Sequence, residues 1–571
     1  MRREGLDLYA ADPAFVRRMR RLLGSEYGWA AEHLHRMGAL AGGPVAACSV
    51  QAEAYPPELV RYDREGNRID RVRFHPAYER MRELAYGSGI VALAYDERAR
   101  PAGGRAPRVL VFGLGYVFSQ AEQGLYCPIC MTDGAARLVE RYAEPEVRER
   151  WLPRLTAREL DRLAEGAMWL TEKQGGSDVG ANTTRAVEGP DGRWRLYGDK
   201  WFCSNLGAEV MMVMARPEGA GPGTRGLGLF LVPLHRGDGS RNAIRFHRLK
   251  DKLGTRSMPT GEATLEGAEG WLLAGPGRGF KAMTEMLNLS RLYNAVASCG
   301  AMRRACFEAL EHARERTAFG RVLEDHPLHR EVLADMVVRT EASTALVFET
   351  VARLDRMDRG IGSEDDRVLW RALTPLVKLH TAKQAVAVAS EGVEALGGNG
   401  YIEEFPTARL LRDAQVLPIW EGTTNILALD LLLRAIGREG ACDALARWIE
   451  QRLAAASERS TLLEAAGLVE AGFVAWREAV GDALALEGSP DVRYARGFAH
   501  RLARLCEAAI LLDEAAADLA GGDARAQALA LRHVARFVAG PDDAGLRPAP
   551  ALEPPVWQAL SRGTELALEA V

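Results

Sequence analysis

Two short segments, about 250 residues apart, carry side chains whose types and spacing could do chemistry. In Ile419-Trp420-Glu421-Gly422-Thr423-Thr424-Asn425 a carboxylate stands between an aromatic and a glycine turn. An apolar neighbourhood raises a carboxyl pKa, and a raised pKa suits a general base. Taken alone, a Glu before Gly is more often a solvated turn residue. The other segment is Met168-Trp-Leu-Thr171-Glu172-Lys173-Gln174-Gly175-Gly176-Ser177-Asp178. Its Gly-Gly-Ser allows a tight turn with exposed backbone N–H groups, which suits a phosphate or the pyrimidine edge of a flavin. A plain inter-domain turn is the competing reading.

Further segments fall in register with these two. Gly198-Asp-Lys-Trp201-Phe202-Cys-Ser204-Asn205 reads as a strand carrying aromatics. Arg316-Thr-Ala-Phe319-Gly320-Arg321 offers a guanidinium that could pair with phosphate bidentately, or a helix C-terminus capped by Gly320. Leu396-Gly397-Gly398-Asn-Gly400-Tyr401, Arg412-Asp413, Gly275-Pro-Gly277-Arg-Gly279-Phe280 and Asn288-Leu-Ser-Arg291 complete the series.

In this order and spacing the set resembles the acyl-CoA dehydrogenase family. The resemblance implies FAD as cofactor and Glu421 as the base that removes the α-proton of an acyl-CoA thioester. Trp420 stands where Tyr is common, which narrows the acyl pocket. Thr171 would hold the isoalloxazine, and Ser177 would lie by the flavin and the CoA arm. Phe202, where Trp is usual, would pack on the flavin, with the Ser204 hydroxyl near N5. Arg316 and Phe319 would meet the FAD of a neighbouring subunit. Gly397, Gly398, Thr423 and Asn425 would also line the FAD, and Arg291 would face CoA. A homodimer or homotetramer follows, as does an external electron acceptor such as an electron-transfer flavoprotein.

Within the family one branch fits best. Pro56-Pro-Glu-Leu-Val-Arg-Tyr-Asp63, Arg73-Phe-His-Pro76, the Thr-Glu-Lys-Gln variant at 171–174 and Arg248-Leu-Lys-Asp-Lys-Leu-Gly254 resemble the AidB branch, flavoproteins of the adaptive response to DNA alkylation. That branch implies an alternative role, a DNA-binding flavoprotein with little dehydrogenase turnover. Residues 441–571 hold 13 Arg and no Lys against 19 Asp and Glu, a net of −6 in a chain whose total is −4. Phosphate neutralisation supplies much of duplex affinity, so an acidic extension does not favour DNA. Arg493, Arg496, Arg501 and Arg504 could still share one helix face, although a solvated amphipathic helix explains the spacing as well.

These residues need elements to position them, and 571 residues are too many for one core. The resemblance implies an α+β, mainly α fold. Its expected divisions are a helical domain over 1–180, a β domain over 181–279, a helical bundle over 280–438 and a helical extension over 439–571. Local pattern agrees. Phe15–Leu23 and Ala136–Tyr142 carry apolar residues at helical spacing. Arg193–Tyr197, Glu209–Ala215 and Gly228–Pro233 read as strands, and Met302–Arg316 and Glu331–Arg356 as long helices. Tyr55–Asn67, rich in Pro, Gly and Asn, reads as an ordered loop, and the extension breaks at Gly488-Ser-Pro490 and Pro541–Pro555.

Other signals are weaker. Cys127-Pro-Ile-Cys130 lacks the βαβ context of a redox motif and the second ligand pair of a zinc site. Val109-Leu-Val-Phe-Gly113-Leu-Gly115 lacks the third glycine of a dinucleotide fingerprint and reads as buried helix or loop. The eleven His show no metal spacing. Eight scattered Cys, no leader-like start and no long apolar run predict a cytoplasmic protein off the membrane.

Overall fold

The computed structural model describes residues 5–486, 489–539, 550 and 552–570. Gly488 and most of Pro541–Pro555 lie outside the described residues, as do the first four residues. The chain forms two compact units. One is built on Gly28–Pro107 and Gly113–Tyr293; the other on Tyr9–Tyr27, Arg108–Phe112 and the chain from Asn294 onward.

Helices of the first unit start where proline needs no hydrogen-bond partner. Pro44, Pro76 and Pro145 stand at the first turns of Pro44–Ala54, Pro76–Gly87 and Pro145–Leu155. Helix Tyr126–Tyr142 is buried along most of its length. Cys127 and Cys130 lie on it, about one turn apart, with no disulfide between them. Val109 to Phe118 is helical and buried within Arg108–Ser119.

The expected loop at Tyr55–Asn67 is instead a β-hairpin, β1 (Glu58–Tyr62) and β2 (Arg68–Arg73). The breaker residues make only its turn. Asp63 accepts from the N–H groups of Glu65 and Asn67, both at 2.9 Å, and Gly66 takes φ 84°. The flanking β-branched and aromatic residues pair across it.

The β region holds seven strands: β3 (Gly166–Trp169), β4 (Arg185–Glu188), β5 (Trp194–Ser204), β6 (Val210–Pro217), β7 (Gly228–Pro233), β8 (Ile244–Leu249) and β9 (Thr260–Ala274). Pairing runs β6-β4-β5-β9-β7 and returns from β7 to β6, which closes a ring; β3 adds to β6 and β8 to β9. Closure removes the open edges of a sheet. Trp169, Leu196, Cys203, Val213, Phe230, Phe246 and Leu265 fill its core.

The second unit is a helical assembly on Pro327–Asp358, Glu364–Ala395 and the C-terminal part of Gly279–Glu315. Ser363 and Asp366 form a reciprocal capping box at the start of Glu364–Ala395. The extension adds Ala441–Ser457, Leu463–Ala485, Ala495–Ala520, Arg525–His533 and Pro554–Arg562. Polar ties, some of them buried, hold it to the bundle. Ser343 Oγ donates to Glu507 at 3.0 Å, and His380 Nε2 lies 3.3 Å from the same carboxylate. Arg452 reaches Glu349 at 2.8 Å and Arg532 reaches Glu331 at 2.6 Å. Among the described residues no helix is long and apolar enough to cross a membrane.

Candidate functional site

The two units carry different sets of the expected site residues. In the first unit, β3 runs into the Thr171–Asp178 turn. Gly175 takes φ 125°, and its N–H donates to Glu172 O at 3.0 Å. A Cβ on Gly176 would lie 2.6 Å from Thr171 Oγ1, so glycine there lets the turn fold onto the threonine. Thr171 is half-buried and Ser177 exposed.

Beneath this turn lies a pair that the motifs do not reveal. Glu172, buried, accepts from Thr183 N at 2.7 Å, Thr183 Oγ1 at 2.8 Å, Thr184 N at 3.1 Å and Thr184 Oγ1 at 2.6 Å. Lys200 Nζ, fully buried, sits 2.9 Å from it and also donates to Met214 O at 3.0 Å. Burial alone would raise the Glu172 carboxyl; Lys200 and the threonine donors outweigh that and hold it down at about 2. Burial pulls the Lys200 ammonium below its ordinary value, against the pull of Glu172. The signal was present: Lys200 falls on the inward phase of its strand, where a charge needs a partner. Gln174 closes the turn from the other side, its Nε2 donating to Asn182 Oδ1 at 3.0 Å.

Phe202 lies in an irregularity of β5. Its register against β9 shifts by one residue between Lys200 and Cys203. That bulge sets Trp201 and Phe202 both outward, while Lys200 and Cys203 point inward. Phe202 is 53% exposed, with Ser204 two residues on and also off the core. Trp201 N donates to Thr171 O at 2.9 Å, which joins the aromatic pair to the turn. Arg291, half-buried on helix Gly279–Glu315, donates to Asn288 Oδ1 at 2.9 Å.

In the second unit, Gly320 does not cap a helix. It is the second turn residue of a hairpin formed by β10 (Thr317–Ala318) and β11 (Arg321–Val322). Phe319 is the first, at φ 49° and 97% exposed. A bulky residue in the left-handed region, held out in solvent, costs free energy that packing does not repay. Arg316 is exposed at the hairpin base. Gly397, at φ 60°, and Gly398 end helix Glu364–Ala395, and a Cβ on either would meet nothing, so their backbone is open to a ligand.

Glu421 also stands in the left-handed region, at φ 60°, followed by Gly422 at φ 100°. Buried Lys378 donates to Gly422 O at 2.7 Å and ties this turn to Glu364–Ala395. Trp420 and Glu421 are half-buried; Thr423 and Asn425 are exposed at the start of the short helix Thr424–Leu429. Lys378 is a second supporting residue that the motifs did not reveal. Thus Trp420, Glu421, Thr423 and Asn425 share one turn, whereas Arg316 with Phe319 and Gly397 with Gly398 form separate solvent-facing features.

Three family models match the chain: the adaptive response protein AidB N-terminal domain over residues 2–162, the acyl-CoA dehydrogenase middle domain over 167–268, and the acyl-CoA dehydrogenase C-terminal domain over 277–436. Acyl-CoA dehydrogenase family member 11 of Caenorhabditis elegans is 35% identical, covering 89% of this chain and 84% of its own length. Putative acyl-CoA dehydrogenase AidB of Escherichia coli K12 is 37% identical, covering 77% and 80%. The structure of Caenorhabditis elegans ACDH-11 in complex with C11-CoA superposes with a TM-score of 0.88 at 34% identity, covering 94% of this chain and 92% of that one.

Proposed function

The chain belongs to the acyl-CoA dehydrogenase family, and on that premise we propose that Glu421 is the base of an FAD-dependent α,β-dehydrogenation of an acyl-CoA thioester. The protein is a flavoprotein with FAD as its cofactor and acyl-CoA as its substrate class. The residues present fit that group. Phe202 offers an exposed aromatic surface, and Thr171 and Ser204 offer hydroxyls beside it. Arg316 supplies a guanidinium for a pyrophosphate, and Gly397-Gly398 leave backbone open to close approach. We assign Ser177 and Arg291 to the CoA arm, Phe319 to a neighbouring subunit's cofactor, and Thr423 and Asn425 to the cofactor's edge.

A thioester α-proton is weakly acidic. Donors at the thioester oxygen stabilise the negative charge that develops as it leaves, and a base must stand at the α-carbon. Bound FAD supplies the acceptor for the β-hydride. Glu421 takes the α-proton, and Trp420 limits the acyl group beside it. Electrons then pass to an external acceptor such as an electron-transfer flavoprotein, and the active form is a homodimer or homotetramer. Eight cysteines with no disulfide among them suit a reducing, cytoplasmic setting.

The left-handed conformation of Glu421 carries this reading. Such a conformation in a non-glycine residue is kept where the surroundings force it, and buried Lys378 anchors the carbonyl of the next residue, Gly422 O. The duplex-binding alternative takes second place. Arg493 is engaged by Asp491 at 2.8 Å, and Arg501 donates to Val538 O at 2.7 Å. Arg452, Arg525, Arg532 and Arg536 all pair with carboxylates of helix Pro327–Asp358. The test is stopped-flow reduction by butyryl-, isovaleryl- and octanoyl-CoA. Glu421→Gln should keep FAD and lose about 10²–10⁴-fold in rate; a brisk rate untouched by the substitution would assign the base elsewhere.

A further inference from the structure

Lys250, just past β8, has no part in the mechanism above, yet it sits against both outward aromatics of the β5 bulge. Its Nζ lies 3.7 Å from the Trp201 ring centroid and 4.6 Å from that of Phe202. The rings meet edge to face, with centroids 6.4 Å apart and planes at 82°. The backbone places the lysine there. Leu249 pairs with Gly261 of β9, Cys203 of β5 pairs with the same residue, and Lys250 N donates to Thr260 O at 2.7 Å. A Cβ on Gly261 would lie 2.6 Å from Arg248 O and 2.5 Å from Leu206 Cδ2, so glycine permits this approach. The ammonium is 2.8 Å from Glu262, which Arg248 also reaches at 2.8 Å. The Lys250 side chain is only 13% exposed against 61% for Arg248, so the lysine carries the desolvated charge. Cation–π attraction strengthens as water is excluded.

We infer that Lys250 is a positioning residue for the flavin: it locks Trp201 and Phe202 into one rigid platform and sets a fixed positive charge behind the ring that stacks on Phe202. This rests on the FAD reading above. Two-electron reduction adds negative charge to the ring system, and a nearby desolvated cation favours it. The charge also gives the bulge a use beyond shape, because two consecutive outward aromatics form the cradle that holds the ammonium.

The experiment measures FAD affinity of the apoprotein and the midpoint potential of the reconstituted protein. Lys250→Met and Lys250→Gln keep most of the stem and remove the charge. They should retain FAD yet shift the oxidised-to-reduced ratio about tenfold, a midpoint ~30 mV lower for a two-electron couple. Lys250→Arg should restore it. Glu262→Gln, which removes the anion instead, should move the midpoint upward. A wild-type potential in the neutral variants, or an equal drop in Lys250→Arg, would overturn the role of Lys250. If Phe202→Ala still weakens FAD binding in that event, the FAD reading stands. A wild type that takes up no FAD would overturn both.

Discussion

The Glu172–Lys200 pair gives a prediction whose size follows by two routes. Glu172→Gln leaves a fully buried ammonium facing an amide and two carbonyls, Met214 O at 3.0 Å and Leu170 O at 3.5 Å. Removing one partner of a buried pair costs about 3–5 kcal/mol. Independently, the Glu172 carboxyl is held at about 2 against an ordinary 4.5, which at 1.36 kcal/mol per unit is on the order of 3 kcal/mol. A depressed carboxyl contributes stability that is present above pH 4.5 and is lost as pH falls toward 2. Lys200→Met should cost less, about 2–3 kcal/mol, because the four threonine donors stay on the carboxylate. A chain of two compact units need not unfold in one step, so the measurement must be local. Native-state hydrogen exchange across residues 169–184 and β5 reads the opening free energy of this turn. A loss of 3–5 kcal/mol speeds exchange by about 10²–10³-fold or more. The double variant Glu172→Gln/Lys200→Met should recover part of the loss. Single variants that each cost under about 1 kcal/mol, or a double variant whose loss equals the sum of the singles, would refute the claim that this pair holds the turn.

Gly176→Ala puts a Cβ 2.6 Å from Thr171 Oγ1, so the threonine must rotate; FAD affinity measured by fluorescence titration should fall several-fold with the global fold retained. Burial, then the like charges of His380, Arg504, Arg496 and Lys383, lower the His500 imidazole to about 3. The unfolded chain therefore takes up a proton below pH 6.5 that the folded chain refuses until about 3, and stability falls across that window. His500→Gln should flatten the slope in denaturation scans between pH 6.5 and 4. FAD-saturated protein should sediment as a dimer or tetramer at micromolar concentration, because Phe319 is 97% exposed at a strained position; a monomer would count against its assigned role.

What could be read from the sequence was local, and what was missed depended on distant partners. Helices and strands followed apolar spacing, and the motif segments led to the family. The hairpin at 58–73 reads as a loop in the sequence because its turn residues are conspicuous while its strands reveal themselves only by pairing with each other. No spacing rule links Glu172 to Lys200, 28 residues on, or Lys378 to the turn at Gly422. The bulge at Trp201–Phe202 is a statement about register with β9, which alternation within β5 cannot contain. Charge counting over the extension sees totals and not pairings. Several of its arginines are paired with carboxylates of helix Pro327–Asp358, so they describe how the extension is held rather than which partner it attracts.

Strain points to the site where residue type does not. Five described non-glycine residues have positive φ: Asp70, Asn205, Thr255, Phe319 and Glu421. Two are themselves assigned to the site, and Asn205 adjoins Ser204. Each conformation costs about 1–3 kcal/mol and persists only where neighbours force it. The supports are visible. Asn205 Nδ2 donates to Gly166 O at 3.3 Å, and Lys378 fixes the carbonyl that follows Glu421. Glycine at 421 would relieve the strain at once, but it carries no carboxylate. Glutamate at this position therefore has a free-energy cost, and the proposed role of Glu421 as a base supplies a reason for it that a solvated turn residue does not.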